Sequence, residues 1–323
     1  MNSSPGTVPV SLTMPDLGVA FPGPFPTSPH AVTADRHLRR WAAERNLPVP
    51  ADELRALCGI TSQGIARALP TADLDSLLLA AELFLWLVAF DDTYGEVTAA
   101  TDPAALAGHI DELTGVLTGN TPTARPGPFT TALCHLLNRL GERATPSQYL
   151  DLTGHLRGNL VGILWEAQHL ADPSRVRLHT YCTMRPLTVF AHTIIALTPI
   201  VLSYELPDRQ GIPPLVDRGE TAVACLVGWV NDLASYSREA SRSPVSPLSL
   251  PTLLMHERHL PLPEAFTVAA RMCEEQAALA RALIDELSAD ASSPLTRHAQ
   301  ALKHIVHAFI WHISHDRYTT PVT

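Results

Sequence analysis

From Leu77 to Phe90 the chain is almost wholly apolar, and Thr71-Ala72-Asp73-Leu74-Asp75 just before it supplies residues that start helices. A helix without a polar face has to be buried on most sides. The rest of the chain must therefore surround it, and the sequence offers further helical patterns to do so. No stretch alternates apolar and polar residues convincingly over a strand length, and no Asn-Gly hairpin signal or repeat period is present. The fold class expected is all-α, with about ten helices. At 323 residues, 46% hydrophobic and 17% charged, the chain can bury a sizeable core. Composition marks no clear division after a Pro-rich opening, so residues 31–323 read as a single helical domain.

Residues 1–30 carry Pro5, Pro9, Pro15, Pro22, Pro24, Pro26 and Pro29, too many for a regular helix. Val19, Phe21 and Phe25 would let this irregular segment lie across the domain as a strap. Helical spacing begins at Thr33, read as an N-cap, and continues through His37, Leu38, Trp41 and Ala42 to Leu47. Short helices over 51–58 and 61–68 follow, then helices over 104–117, 129–140 and 146–169, separated by Gly-, Thr- and Pro-rich turns. A long pattern from Ser174 to about Tyr204 is interrupted at Pro186 and Pro199, where proline bends a helix and removes a ladder bond. Beyond a loop over 207–214 comes a long apolar helix from about Thr221. A Ser/Pro-rich loop over 241–247 and helices over 251–259, 263–287 and 294–315 complete the chain.

A formal net charge of −9 argues against nucleic acid as a partner, because phosphate backbones attract a basic stripe. Cys58, Cys134, Cys182, Cys225 and Cys273 are scattered and odd in number, with no CxxC, which fits reduced thiols in the cytoplasm. No basic segment followed by an apolar one opens the chain as a secretory signal would. The most apolar run, Thr188 to Ser203, contains His192 and is short for a membrane span, so it reads as a buried helix.

Two stretches carry chemistry. On a helix a four-residue step turns about 400°, so Asn231, Ser235 and Glu239 form one stripe of an amide, a hydroxyl and a carboxylate. These are hard oxygen donors of the kind Mg²⁺ takes, with water or phosphate completing the shell. Arg238 stands beside Glu239, able to pair with such a phosphate. An ordinary polar helix face would give the same spacing, so the stripe alone decides nothing. The second stretch is Asp91-Asp92-Thr93-Tyr94-Gly95-Glu96 at the end of the apolar helix, where carboxylates oppose the helix dipole and call for a compensating positive charge. Together with Arg185, Arg317 and Tyr318, the two oxygen clusters could hold divalent cations and a diphosphate.

In these residues the chain resembles bacterial class I terpene synthases. Asp91-Asp92-Thr-Tyr-Gly-Glu96 is similar to their aspartate-rich motif, and Asn231, Ser235 and Glu239 to their Asn/Ser/Glu triad. Arg185 falls where the family has its diphosphate-sensing arginine, Arg238 just before the triad's Glu, and Arg317-Tyr318 match a terminal Arg-Tyr pair with Trp311 six residues earlier. The likeness runs from about residue 20 to the end. It implies a helical bundle around a deep apolar cavity, three Mg²⁺ at its mouth, and ionisation of a linear isoprenyl diphosphate. It also implies that Asp91, Asp92, Glu96, Asn231, Ser235 and Glu239 ligate metal, while Arg185, Arg238, Arg317 and Tyr318 bind diphosphate. Phe84, Leu87, Val88, Trp165, Thr188, Val189, Phe190 and Trp311 would line the cavity, the aromatic rings facing a carbocation or simply filling the core. Thr188 and Val189 stand where the family often has Asp and Gly.

The expectation is a cyclase of farnesyl diphosphate giving a sesquiterpene. Geranylgeranyl diphosphate is the alternative, since Leu87, Val88 and Val189 would leave more room. A chain-elongating prenyltransferase would need a second aspartate-rich motif, which is missing. A non-catalytic helical protein that binds apolar ligands is the reading from another class. A homodimer is common in the resembled family. His304, His307, His312 and His315 spread too widely around a helix for one zinc site.

Overall fold

The computed structural model describes residues 12–98, 102–120, 125–206, 214–242, 245–289 and 294–314. Among them every regular element is helical: α1 Ala31–Glu44, α2 Ala51–Ala68, α3 Leu74–Phe90 continued by a π-helical segment Asp91–Thr98, α4 Pro103–Leu117, α5 Pro128–Gly141 and α6 Pro146–His169. A 3₁₀ turn, Pro173–Arg175, leads to α7 Leu178–Thr188, α8 Ala191–Val201, α9 Pro214–Arg242, α10 Leu250–Arg258, α11 Leu262–Leu287 and α12 Pro294–Ile313.

The apolar helix α3 occupies the middle, packed by α1, α2, α5 and α8. Asp73 caps it, accepting the Ser76 N–H at 2.8 Å. From Leu79 to Phe90 only Phe84 and Val88 are not fully buried. One charge sits inside this helix: Glu82, 1% exposed, lies 2.5 Å from Nε2 of His37 on α1 and accepts Arg139 Nη1 from α5. A buried carboxylate is tolerable only with such partners, so Glu82 pins three helices in one register. Trp86 donates its indole N–H to the Phe129 carbonyl at 2.9 Å, so its polar edge is also satisfied.

Several boundaries differ from the sequence expectation. Helix α1 begins at Ala31, with no side-chain cap, rather than at Thr33. The two short helices over 51–58 and 61–68 are one: Leu57, Cys58, Ile60, Thr61, Ile65 and Ala68 are buried along α2 against α1, α3 and α12. That burial outweighs the helix cost of Gly59, about 1 kcal/mol. Helix α9 starts at Pro214, well before Thr221, and still includes Ser241 and Arg242.

The largest departure concerns Pro186. Helix α7 runs through it and the chain breaks four residues later, where Phe190 adopts a left-handed φ of 59°. Helix α6 stabilises the break: Asn159 Nδ2 donates to the Leu187 carbonyl at 2.6 Å, and a Cβ on Gly162 would lie 3.0 Å from the Leu187 backbone. By length and composition Leu178–Val201 could cross a membrane, but it is broken at this point and mostly buried in the bundle.

Residues 12–30 do form a strap. Leu17 and Phe21 are buried, and Phe25 stacks on His307 of α12 with ring centroids 4.2 Å apart. Arg281 of α11 donates to the Ala20 carbonyl at 3.2 Å, and the Ser28 N–H donates to Ala66 of α2 at 2.8 Å. Val19, expected to pack, is 83% exposed because it sits on the outer side of the turn between Leu17 and Phe21.

His307 is 3% exposed, and neither ring nitrogen has a hydrogen-bond partner among the described residues. Burial, then the charges of Lys303, His304 and Arg281, push its pKa from 6.5 down to about 4. Between these values the unfolded chain binds a proton that the folded chain does not, so this stability is complete above the upper value and lost as pH falls through the window. His307→Phe keeps a ring against Phe25 and cannot charge. Its melting temperature is expected to drop less than the wild type's between about pH 7 and about pH 4.5, and an identical drop would refute the assignment. Glu82→Gln, which strands Arg139 beside a neutral group, is expected to cost about 3–5 kcal/mol in urea unfolding.

Candidate active site

The stripe of α3 that neighbouring helices leave partly open runs from Phe84 through Val88 to Asp91, at intervals of four and three residues, which keeps all three on one face. Beyond Phe90 the winding does not stop, as expected for a helix end, but widens into the π segment. In an α-helix a residue five positions on lies about 140° away; at about 4.4 residues per turn it returns to within about 50°. The backbone at 96 is thereby carried toward the face of Asp91, which accounts for the five-residue spacing of the two acidic positions. The Glu96 side chain lies outside the described residues. The macrodipole objection to Asp91 and Asp92 also weakens, because they sit inside continuing helical backbone rather than at its end.

Local packing holds the wide turn. Thr93 Oγ1 donates to the Ala89 carbonyl at 2.7 Å, and the Tyr94 ring lies among Phe90, His109 and Phe129, with centroids at 5.2, 4.1 and 5.6 Å. Gly95 has no room for a side chain. A Cβ there would collide with Asp91 Oδ1 and come within 3.2 Å of Ile163 on α6. Asp91 and Asp92 are both partly exposed.

On α9, Asn231 and Glu239 are partly exposed and Ser235 is 1% exposed. Ser235 Oγ has no hydrogen-bond partner among the described residues, in a position where an unsatisfied hydroxyl costs about 1–3 kcal/mol. An orphaned oxygen between an amide and a carboxylate on one stripe suits a hard divalent cation. Arg238 Nη2 stands 3.9 Å from Glu239 Oε1.

Arg185, 9% exposed, reaches this stripe from α7. Its Nε donates to Asp232 Oδ1 at 2.8 Å, its Nη2 to Asn231 Oδ1 at 2.9 Å and its Nη1 to Thr188 Oγ1 at 2.7 Å. Gly228 makes the space: a Cβ there would lie 2.9 Å from Arg185 Cγ. Asp232, 2% exposed, also accepts from the Tyr181 hydroxyl at 2.6 Å and the Leu250 N–H at 2.8 Å, the latter an open donor at the start of α10. Burial raises the Asp232 carboxyl to about 6 against the pull of Arg185 and the two other donors. For Arg185 burial opposes the charge, but Asp232, Tyr181, Glu166 and Glu239 outweigh it and hold the guanidinium firmly protonated. The Tyr181 phenol is raised well above its ordinary value by burial and by the Asp232 charge.

Helix α6 packs against both the π segment and α7, which carries Arg185. Ile163 backs the π segment, Gly162 backs the α7 break, and Glu166, one turn further, acts on Arg185. Of the cavity residues expected, Phe84, Val88, Trp165, Val189 and Trp311 are partly exposed, while Leu87, Thr188 and Phe190 are buried. Trp311 carries the Arg67 guanidinium over its ring at 4.1 Å. Arg317 and Tyr318 lie outside the described residues. Asp232, Tyr181, Gly95 and Gly228 were missed as site residues. Asp232 had a signal, standing inside the triad's own stretch, and Tyr181 lies one turn before Arg185.

Among the described residues, which leave out the Glu96 side chain, no group of three or more His, Cys, Asp or Glu side chains could hold a metal by itself. The model for terpene synthase family 2, C-terminal metal binding, matches residues 82–278. A (12E)-labda-8(17),12,14-triene synthase of Streptomyces cyslabdanicus is 51% identical over 310 residues, 96% of this chain and 94% of that one. One of the same name from Streptomyces anulatus is 51% identical over 319 residues, 97% and 98% of the two chains. The solved structure of hedycaryol synthase in complex with HEPES, 23% identical, superposes with a TM-score of 0.78 over 94% of this chain and 99% of that one, a likeness of fold. The chain thus belongs to terpene synthase family 2 and is a class I terpene cyclase with a domain that binds divalent metal.

Proposed function

We propose that this chain ionises a twenty-carbon isoprenoid diphosphate and turns the resulting cation into a labdane-type diterpene, with Mg²⁺ as the metal, in the cytoplasm. The reading rests on the contact of Arg185 with Asn231, which ties the expected diphosphate sensor to the first residue of the expected metal triad. Asp91, Asp92 and Glu96 would hold metal from one side, and Asn231, Ser235 and Glu239 from the other. The bound cations supply Lewis acidity to the departing diphosphate. As that group leaves, its negative charge grows, so Arg185 and Arg238 stabilise the transition state more than the bound substrate. Arg317 and Tyr318 would join them. The wall bearing Phe84 and Val88 excludes water from the cation.

Twenty carbons rather than the fifteen expected from the motifs are supported by the two labdatriene synthases, which match the chain over nearly its whole length. The small side chain of Val88 on the open stripe of α3 agrees with a larger substrate. Purified protein with Mg²⁺ is expected to release a labdane hydrocarbon, identified by mass spectrometry, from a twenty-carbon diphosphate. Both the linear substrate and a bicyclic labdadienyl diphosphate should be offered, because the skeleton does not say which step closes the rings. Turnover of farnesyl diphosphate alone would overturn the reading. Gly95→Ala pushes the Asp91 carboxylate aside and is expected to lower kcat by about 10²-fold with little change in far-UV circular dichroism, the scale of a small misplacement at a reacting centre.

A further inference from the structure

The guanidinium of Arg185 has donors only, so the Asn231 amide must turn its carbonyl oxygen, and not its NH₂, toward it. That oxygen is also the only side-chain atom of Asn231 able to ligate a hard cation. One atom therefore has two positively charged claimants. The remaining contacts of Arg185 are arranged so that it can yield this one. Its Nε bond to Asp232 is made by a separate N–H beside Nη2 and does not depend on Asn231, and Asp232 is itself fixed on its second oxygen by Tyr181 and the Leu250 N–H. The Nη1 bond goes to Thr188, an uncharged hydroxyl whose own proton is directed to the Arg185 carbonyl at 3.2 Å.

We propose that Tyr181, Asp232 and Thr188 are positioning residues of a latch, which parks Arg185 on Asn231 Oδ1 until a divalent cation takes that oxygen. The Nε–Asp232 bond then acts as a pivot, and the freed Nη2 turns toward the diphosphate. The latch rests on the reading of Asn231 as a metal ligand. It makes cation binding and the parked position of Arg185 mutually exclusive, so weakening one strengthens the other.

The test uses Mn²⁺ as the probe, with free Mn²⁺ counted by electron paramagnetic resonance in the absence of any diphosphate. Arg185→Lys keeps the positive charge but cannot hold Asp232 and Asn231 with one fork. It is expected to bind Mn²⁺ about three- to tenfold tighter than the wild type. Thr188→Val removes the Nη1 acceptor without touching charge or expected ligands, and is expected to tighten binding about two- to fivefold. Circular dichroism checks that each variant is folded, and Thr188→Val carries the test if Arg185→Lys is not. Equal or weaker Mn²⁺ binding by folded Arg185→Lys overturns the latch, as does equal binding by Thr188→Val when it is the only folded variant. Equal binding by Thr188→Val alone removes Thr188 from it. Asn231→Ala separates the two readings: loss of a Mn²⁺ equivalent upholds the metal assignment whatever the latch does, and full wild-type binding sinks both.

Discussion

The ion pair between Arg185 and Asp232 is the constraint around which this end of the molecule is built. Two charges at this depth lose most of their hydration, and their attraction compensates only if every remaining polar atom finds a partner. Asp232 meets that demand with a phenol, a guanidinium and a backbone N–H, drawn from α7 and from the first turn of α10. Three helices are thereby fixed about one carboxylate. The arginine stem then needs the gap left by Gly228, and its far edge needs Thr188 and Asn231.

The same constraint explains why α7 ends where it does. Thr188 must remain helical to stand one turn beyond Arg185, and the chain must then turn sharply to enter α8. Phe190 makes that turn in a left-handed conformation unfavourable for an aromatic residue. The cost is offset by Asn159 and by the close approach of Gly162 from α6. Strain at the break and charge beside it form one unit, held from behind by a single long helix that also backs the acidic segment.

Much of this was legible in the residues, for reasons that differ by feature. The central place of α3 followed from its lack of a polar face, and the triad stripe followed from four-residue spacing, which survives in the long regular helix α9. The break at Phe190 was not legible, because Pro186 attracts attention to itself while a helix can accommodate it when other groups take up the strained turn. The single helix α2 was hidden by Gly59, whose propensity cost is small beside the burial of eight side chains. Asp232 went unassigned because its partners come from sequence positions 181, 185 and 250, and only tertiary structure brings them together. The substrate's size left the weakest trace, since cavity volume is a sum over many side chains.

The widened winding of Asp91–Thr98 has a consequence for how this stretch can change over time. A π turn holds one residue more than an α turn between hydrogen-bonded partners. Losing a residue between Asp92 and Glu96 would let the backbone relax to ordinary α geometry, rotating everything downstream by about 100° and lifting Tyr94 out of its aromatic nest. Gaining one would require a bulge wider still. Side chains here can be exchanged within limits of size, but the length of the segment is quantised, and a lineage that alters it must rebuild the junction with α4 at the same time.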